Sequence, residues 1–460
     1  MRPRVLVVMV EYSERVDSGA RIHDRVLVEE LSEISDVTLL VIGPEPPAHI
    51  GGSAHELWHP IDNRRRAHRA VDFGRGFFSG RSAVLDRSLR QGGAGALARA
   101  ARDVVPDVIV LQRPFYGPMI EIGRRFAPVV VEAGESTTKA MRMIALRPAS
   151  QAARARALME WLVFQRLEKS LRDADEVWVT SEVESRELQR AVPGVKTHVV
   201  PNVIDASAFE DVRRLPLGST GASYVGTYSY APNEEAACWI ITELAPVFAR
   251  RKLGVIDLIG RLPTDRMRRL AAAQTGVRVV GEVDEPWRAA RASGALVVPL
   301  RTGAGTRLKV LEAGASEVPI VSTRFGVEGL DFEPGVHYLR AESAAQFADA
   351  VEQLRDDPQR GQALIEAARS AVEVKYSRSA ARAAMAASIS SLTASAPGWS
   401  GLGGSDVGPV GRQPPATSPQ REGEVPRDSA TRCAKRSAKS LATYGPDELL
   451  RNPRQDQPRE

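Results

Sequence analysis

Short apolar runs alternate with longer amphipathic stretches through most of the chain. The runs are nearly continuous in Val, Ile and Leu, a pattern typical of strands that helices cover on both faces of a parallel sheet. The predicted strands of the first half are Val5–Val10, Val37–Ile42, Val108–Leu111, Val129–Val131, Val177–Thr180 and His198–Val200. Those of the second half are Tyr224–Gly226, Ile256–Ile259, Val277–Val280, Leu296–Leu300 and Ile320–Ser322. This is too many strands for one comfortable doubly wound sheet, so two such sheets are predicted.

The predicted boundaries follow changes in composition along the 460 residues, a length that fits two domains and an extension. A polar, turn-rich segment, Asp205–Gly221, separates a first α/β domain (residues 1–205) from a second (residues 220–375). A helix over residues 376–393 follows. Residues 394–460 are rich in Pro, Gly, Ser, Arg and Gln and have few large apolar side chains. Such a tail cannot bury enough surface to offset its chain entropy, so it is predicted to be disordered.

Residues 295–323 predict a strand, a glycine-containing turn over Arg301–Gly305, a helix and another strand. With Thr306 as the N-cap, Arg307 and Lys309 lie in the first helical turn. A helix N-terminus carries partial positive charge, so each cation there costs roughly 0.3–1 kcal/mol at an exposed site. A bound anion, which the backbone N–H groups would also attract, reverses that cost. The segment therefore indicates a phosphate site; the alternative is two solvated side chains that bend away.

Other candidates lie where strands end, because ligands of open α/β sheets bind beyond the carboxyl ends of the strands. The turn Gly226–Pro232 follows one predicted strand, and the loop Glu11–Ala20, with Gly19, follows the first. The loop has a single glycine instead of a dinucleotide fingerprint, so it is interpreted as a flexible loop that faces the cleft. Glu312 is interpreted either as a helix-surface partner of Lys309 or as an acceptor for sugar hydroxyls.

Composition and charge restrict the environment and the partners. There are only 2 cysteines, so a disulfide framework is excluded and a reducing, cytoplasmic compartment is expected. No apolar run approaches the roughly 20 residues that span a bilayer. The net charge of +5 is small for this length, so nucleic acid is not a predicted partner. An anionic small ligand, or peripheral contact with the acidic inner face of a membrane, fits the charge equally well.

Three further patterns have structural alternatives. His55–His59 matches the zinc-binding HExxH pattern, but Pro60 disfavours the helix that this chemistry needs, so no metal site is predicted. The Asp173-Ala-Asp175 pair resembles a metal–diphosphate motif but precedes a strand, where a helix-ending polar cluster is the better interpretation. Residues 64–90 interleave arginines with Phe73, Phe77 and Phe78; this favours a solvated helix face, with an anionic membrane or acceptor as the alternative.

The second half of the chain resembles the retaining GT-B glycosyltransferases of the family "glycosyl transferases group 1". The resemblance is carried by the segment GTRLKVLEA at residues 305–313 and by VSTRFGVEGL at 321–330. YVGTYSYAPN at 224–233 is similar to the family's first strand and turn in the nucleotide-binding domain. The resemblance implies two facing Rossmann-like domains with a nucleotide-diphosphate sugar in the cleft, held mainly by the second domain.

The resemblance also implies roles for individual residues. Arg307 and Lys309 would neutralise the departing diphosphate, and Glu312 would hold the ribose. Among the donor-binding residues, Gly226 and Thr227 would lie beside the diphosphate, and Gly281, Glu282 and Val283 beside the base. Gly303, Gly305 and Thr306 would present backbone groups to phosphate, and Arg301 would also contact the donor. No metal and no cofactor is implied. A phosphate oxygen would take the acceptor proton, so no strong protein base is required, and pre-placed cations would act where charge grows.

The chain departs from the family pattern in three places. Many members have a glutamate at the position of Ala304. Many have arginine and lysine after the glycine that matches Gly226, where this chain has Thr227, Tyr228 and Ser229. Many also have a His-Asp pair where this chain has Glu132-Ala-Gly-Glu135. We therefore expect a retaining, metal-independent transferase that uses a nucleotide sugar and a glycan or lipid-linked acceptor in cell-envelope synthesis. A non-catalytic nucleotide-sugar-binding protein of the same fold is the alternative, and a zinc hydrolase built on His55 and His59 is the third.

Overall fold

Two parallel β-sheets organise the protein in the computed structural model, which describes residues 2–10, 12, 19–47, 55–61, 83–134, 138, 151–218, 221–303 and 307–395. The first sheet has the strand order β3-β2-β1-β4-β5-β6-β7, and the second has the order β10-β9-β8-β11-β12-β13. All strand pairs within both sheets are parallel. The predicted fold class, two Rossmann-like domains, is confirmed. The tail predicted to be disordered lies, from residue 396 on, outside the described residues.

The strands are short and almost entirely buried in the middle of each sheet. Those of the first sheet are β1 Arg4–Met9, β2 Asp36–Gly43, β3 His55–Pro60, β4 Val108–Gln112, β5 Val129–Gly134, β6 Glu176–Val179 and β7 Thr197–Val199. Those of the second are β8 Ala222–Val225, β9 Ile256–Ile259, β10 Val277–Gly281, β11 Ala295–Val298, β12 Ile320–Ser322 and β13 Leu339–Arg340.

Helices connect the strands and cover the sheets. In the first part of the chain they are α1 Gly19–Ile34, α2 Ala83–Arg90, α3 Gly93–Val104, α4 Ile120–Gly123, α5 Gln151–Ser170, α6 Glu182–Ala191 and α7 Glu210–Arg213. In the second part they are α8 Ala231–Trp239, α9 Ala245–Arg251, α10 Asp265–Ala272, α11 Pro286–Ser293, α12 Leu308–Ala315, α13 Ala344–Asp356, α14 Pro358–Lys375 and α15 Arg378–Ala394. A π-helical turn, Ile240–Leu244, joins α8 to α9.

Each sheet has one point where the chain reverses its direction of growth across the sheet. In the first sheet this switch point lies between β1 and β4, and in the second it lies between β8 and β11. The connections that leave neighbouring strands there diverge to opposite faces, which opens a crevice at the carboxyl ends. Polar side chains at these two places are therefore the first candidates for ligand contact.

The two carboxyl edges face each other across the domain boundary. Ser181 follows β6 of the first sheet and Gly329 follows β12 of the second; a Cβ on Gly329 would lie 3.2 Å from the Ser181 Oγ. Helix α15 returns to the first domain, where Ala381, Met385 and Ile389 join the core beneath β1 and β4. Both switch points thus border the space between the domains.

The sequence-based interpretation missed two strands, β3 and β13. β3 contains the HExxH match, but it is an edge strand with exposed Leu57 and Trp58, so its hydrophobic pattern resembles that of a surface segment. The histidines therefore do not share a helical face, and His59 Nε2 lies 2.8 Å from the carbonyl oxygen of Gln91. β13 has only 2 residues, too few for any periodicity.

The segment predicted to separate the domains is partly ordered against the second domain. Phe209 and Val212 in and beside α7 are buried in the core of the second sheet, as is Ile204 just before the predicted boundary. The sequence-based interpretation missed these apolar positions because polar residues separate them. None of the described helices is long and apolar enough to cross a membrane.

Candidate functional site

The helix that was predicted to receive an anion begins one residue later than expected. Arg307 occupies the N-cap position of α12, which starts at Leu308, so Lys309 is the second helical residue and the predicted cap, Thr306, precedes it. Thr306, Ala304 and Gly305 lie outside the described residues. The later start keeps both cations at the N-terminus of the helix.

Both cations are buried, with Arg307 only 6% and Lys309 only 7% exposed. The alternative of two solvated side chains that bend away is therefore wrong. The ammonium of Lys309 donates hydrogen bonds to the hydroxyl of Tyr224 at 2.9 Å and to Oδ1 of Asn233 at 2.8 Å. It also lies 4.2 Å from the centre of the Tyr224 ring, a cation–π contact. The lysine is thus held on the end of β8, at the switch point.

Tyr224 and Asn233 form a neutral seat for Lys309, and the sequence-based interpretation assigned neither residue a role. The Tyr224 hydroxyl donates to Asn233 Oδ1 at 2.8 Å, while Asn233 Nδ2 donates to the Thr227 carbonyl at 2.9 Å. Asn233 therefore ties the turn after β8 to the lysine. We name Tyr224, Gly226, Asn233, Arg307 and Lys309 the lysine cluster.

Position 226 requires glycine because side chains of the cluster approach its backbone closely. A Cβ on this residue would lie 3.0 Å from the amide of Asn233 and 3.2 Å from Nζ of Lys309. Only glycine leaves that space open, because contacts this short force a neighbour to move. The structure therefore brings Gly226 and Lys309, which were predicted separately, to the same place.

Arg307 closes the other side of the cluster. Its guanidinium lies 4.7 Å from the centre of the Phe325 ring and donates to the carbonyl oxygen of Gly303 at 3.4 Å. Gly303 has a φ of +132°, a backbone conformation that other residues rarely adopt. The Arg307 side chain thereby links Gly303, which follows β11, to the start of α12.

Glu312 is buried and not on a helix surface, since it is only 1% exposed. The alternative of a surface ion pair with Lys309 is therefore wrong. Among the described residues, its Oε1 has no hydrogen-bond partner. Burial raises the pKa of Glu312 well above its usual range, against the opposing charge of Lys309. A buried oxygen of this kind can accept a ligand hydroxyl, or donate to one when the carboxyl is protonated.

The protonation of Lys309 is poised near neutral pH. Burial, reinforced by the charge of Arg307 and opposed by Glu312, lowers the pKa of Lys309 to about 7. Among the described residues, Lys309 makes no ion pair; its hydrogen-bond acceptors are both neutral. An anion bound beside it would favour the charged form and raise this pKa. The site can therefore gain both a ligand and a proton.

The remaining residues predicted to bind the donor lie in several places. Thr227 is fully buried next to Gly226. Gly281 is the last residue of β10, and its carbonyl oxygen accepts a hydrogen bond from the Gly260 N–H at 2.7 Å. Glu282, which comes next and precedes Val283, forms an ion pair with Arg261 at 3.4 Å. Arg301 is directed elsewhere, with its guanidinium 4.7 Å from the Trp239 ring centre and 3.0 Å from the Glu342 carbonyl oxygen. Gly19 is the first residue of α1, so it does not belong to the predicted loop.

A second group of polar residues lies at the switch point of the first sheet, and none of its members was predicted as a site residue. We name it the histidine cluster: His23 and Asp24 on α1, Gln112 and Arg113 at the end of β4, and Glu132 on β5. His23 Nε2 lies 3.0 Å from Glu132 Oε1, and Arg113 donates to Asp24 at 2.6 Å. The detectable signal was polar residues that end or follow the buried strands β1, β4 and β5.

The other sequence patterns have structural roles or fall outside the described residues. Asp175 accepts hydrogen bonds from the Val129 N–H at 2.8 Å and from Arg124 at 3.1 Å, so it fastens the start of β6, while Asp173 ends a 3₁₀ turn. The basic-aromatic stretch lies largely outside the described residues, and Arg90 pairs with Asp86 at 2.9 Å. No group of three or more potential metal ligands is found among the described residues.

Comparison with solved structures defines the architecture as the GT-B fold. Sucrose-phosphate synthase from Thermosynechococcus elongatus aligns with a TM-score of 0.59 and 19% identity over 86% of this chain and 100% of that one. An α,α-trehalose 6-phosphate synthase from Burkholderia multivorans gives a TM-score of 0.61 and 15% identity over 86% and 98%. Anabaena HepE in complex with UDP gives 0.53 and 13% over 85% and 100%.

The second domain is assigned by its sequence. Residues 220–357 match the model of the family "Glycosyl transferases group 1". The resemblance predicted from GTRLKVLEA and YVGTYSYAPN is therefore confirmed for this domain, which contains the whole lysine cluster. By sequence alone, no curated protein matches the chain.

Proposed function

We propose that the protein is a retaining glycosyltransferase that transfers a sugar from a nucleotide-diphosphate sugar to an acceptor hydroxyl. The observation that carries the proposal is the lysine cluster. Its buried ammonium lies at a switch point and at a helix N-terminus, and its hydrogen-bond acceptors in the described part of the chain are neutral. Such a place favours a phosphate group. The family match of this domain supports the same chemistry, as does UDP in the similar HepE structure.

The chemistry follows from the charges. When the bond between the anomeric carbon and the diphosphate oxygen breaks, negative charge grows on the leaving group. Lys309 and Arg307 are already fixed, by Tyr224, Asn233 and Phe325, where they can stabilise that charge without reorganising. We propose that they take the role that a metal ion has in other sugar transferases, and that Glu312 holds a ribose hydroxyl.

The proposal extends to the setting of the reaction. Retention of the anomeric configuration and a glycan or lipid-linked acceptor of the cell envelope are supported by the resemblance of the second domain to its family. A cytoplasmic position, with contact to anionic lipid at the inner membrane face, is supported by the low cysteine content and the arginine-rich stretch over residues 64–90.

A screen of nucleotide sugars tests the proposal directly. UDP-glucose, UDP-N-acetylglucosamine and GDP-mannose are each mixed with the full chain, and the melting temperature and the release of nucleoside diphosphate are measured with and without EDTA. We expect one of them to stabilise the fold, because a ligand that binds only the native state raises its melting temperature. We also expect that donor to release diphosphate at a rate that EDTA does not change. Binding without any release would favour the non-catalytic alternative, and binding of none would refute both.

A further inference from the structure

The segment after β11, residues 301–303, lies against one face of helix α8. The guanidinium of Arg301 is 4.7 Å from the centre of the Trp239 ring, and the hydroxyl of Thr302 donates to Glu235 Oε2 at 2.9 Å. Glu235 and Trp239 are four positions apart, so they lie on the same side of the helix. Two consecutive residues of the segment thus contact a single helix face, and we name Glu235, Trp239, Arg301 and Thr302 the turn clamp.

The aromatic half of the turn clamp is fixed by the core of the second domain. The Trp239 ring packs against Phe347, which is fully buried on α13, with 5.7 Å between the ring centres. Trp239 is also the last residue of α8 before the π-helical turn Ile240–Leu244, and such turns are frequent at functional sites. The Arg301 guanidinium lies over this ring and donates to the Glu342 carbonyl oxygen at 3.0 Å. Arg301 therefore already has two partners within its own domain.

Gly303 connects the turn clamp to the lysine cluster. Its carbonyl oxygen accepts from Arg307 at 3.4 Å, and its φ of +132° depends on glycine. A Cβ on Gly303 would lie 3.5 Å from the Tyr230 hydroxyl and 3.6 Å from Nη1 of Arg307, so the segment, the N-cap of α8 and the arginine meet at this residue. Because Thr302 directly precedes Gly303, a contact that fixes Thr302 also fixes the carbonyl that holds Arg307.

The turn clamp is suited to set a local position and contributes little to the stability of the whole fold. Arg301 and Glu235 are both exposed, and contacts at the surface compete with water. Glycine is conformationally permissive, so the contacts of its neighbours decide which conformation the segment adopts. A misplacement of about 1 Å near the reacting atoms can cost about a hundredfold in rate. A weakened clamp should therefore change the rate of reaction before it changes the melting temperature.

We propose that Glu235 and Trp239 are positioning residues of the transfer reaction and that they act on Arg307 through Arg301 and Thr302. The inference rests on the proposed function and goes beyond it, because none of the four clamp residues belongs to the lysine cluster. Arg301 then contributes to catalysis without touching the donor, although the family resemblance implies a direct contact. The clamp holds the segment where Arg307 can stabilise the charge that grows on the diphosphate.

The hydrogen bond of the turn clamp is tested with two substitutions at one position. Thr302→Val keeps the shape of the side chain but cannot donate to Glu235, whereas Thr302→Ser keeps the donor. Thr393→Val in the last turn of α15 is the matched control, since its hydroxyl donates to the Ile389 carbonyl of its own helix. The values of kcat and KM for diphosphate release are measured with the donor found in the screen, and the melting temperature of each free protein is recorded.

The cation–π contact is tested with a double-mutant cycle. Trp239→Leu removes the ring, Arg301→Met removes the cation, and a third variant carries both substitutions. If Arg301 acts through Trp239, each single substitution breaks the same contact, so the double variant should be at most about threefold slower than the slower single variant. If Arg301 instead touches the donor, the two losses in kcat multiply. Trp239→Phe, which keeps a ring under the guanidinium, should recover most of the rate.

We expect Thr302→Val, Trp239→Leu and Arg301→Met each to lower kcat by roughly ten- to hundredfold with KM nearly unchanged. Thr302→Ser and Thr393→Val should match the wild type in kcat, and both Thr302 variants should match it in melting temperature. A wild-type kcat in Thr302→Val, multiplied losses in the double variant, or a lower melting temperature with unchanged kcat would overturn the positioning role while the donor site stands. A wild-type protein that releases diphosphate from none of the donors would overturn the proposed function and this inference with it.

Discussion

The lysine cluster and the histidine cluster lie at equivalent switch points, but they differ in how their positive charges are compensated. Lys309 is seated on a neutral hydroxyl and a neutral amide, whereas His23 and Arg113 each face a buried or half-buried carboxylate. The first arrangement leaves positive charge for a ligand to neutralise, and the second leaves almost none. The same sheet topology therefore provides one edge with uncompensated positive charge and another whose charges are compensated locally.

The largest expected effect comes from removing the uncompensated charge. Lys309→Met keeps most of the volume of the side chain but cannot stabilise negative charge, so we expect the rate of diphosphate release to fall by about 10²–10³-fold. Lys196→Met, on the surface of the first domain, is the matched control and should leave the rate unchanged. Steady-state kinetics with the donor found in the screen measure both. Equal rates of diphosphate release in the two variants would show that the charge of Lys309 does not act on the donor.

A smaller effect is expected from filling the space beside the lysine. Gly226→Ala would place a Cβ 3.2 Å from Lys309 Nζ and 3.0 Å from the Asn233 amide, so one of them must move. Overpacking of this kind costs about 1–3 kcal/mol, which corresponds to roughly 5–150-fold in UDP affinity if it falls on the site. Gly361→Ala in α14 is the control, because its nearest contact would be an ordinary 3.6 Å. Calorimetric titration with UDP decides between them, and an unchanged affinity in Gly226→Ala would show that the turn is not part of the donor site.

The smallest expected effect concerns the stability of the free protein. The folded-state pKa of Glu312 is raised by burial, so its contribution to stability is present below the unfolded value of about 4.3 and is lost as pH rises through the folded pKa. Glu312→Gln cannot ionise. We therefore expect this variant to melt a few degrees above the wild type at pH 8 and at nearly the same temperature as the wild type at pH 4.5. Each kcal/mol in the free energy of unfolding shifts the melting temperature by about 2–4 °C.

Exposed Glu243 provides the control for this comparison, since Glu243→Gln should melt like the wild type at both pH values. Scanning calorimetry at the two pH values measures the differences. A Glu312→Gln variant that is less stable than the wild type at pH 8 would mean that the carboxylate, and not the neutral acid, is the stabilising form.

Part of the lysine cluster could be predicted from the sequence because its signals are local. Arg307 and Lys309 are close together in sequence, on a helix that follows a glycine-containing turn. The start of α12 was predicted one residue too early, and Arg301 is directed elsewhere. Tyr224 and Asn233 were missed because a buried tyrosine in a strand and an asparagine in a first helical turn have common structural uses. Only the tertiary contact with Lys309 distinguishes them.

The histidine cluster could not be predicted because its members are distant in sequence. His23 and Glu132 are separated by 109 positions, and the parallel order β1-β4-β5 is what brings them together. Glu132 was noted as a departure from the family pattern, but its partner comes from α1, where a histidine on a helix face has no distinctive pattern. The positive φ of Arg113 is likewise a consequence of tertiary structure and leaves no mark in the sequence.

Proton-linked binding of UDP tests most directly whether Lys309 receives the diphosphate. The pKa of Lys309 is about 7 in the free protein, so at pH 8 the amine is mostly neutral and must take up a proton when the anion binds. Titration calorimetry at pH 8 in HEPES and in Tris gives the number of protons taken up. We expect close to one proton in the wild type, none in Lys309→Met, and a wild-type affinity that weakens by up to about tenfold per pH unit above 7. UDP binding that takes up no proton and has the same affinity in both proteins would contradict the account.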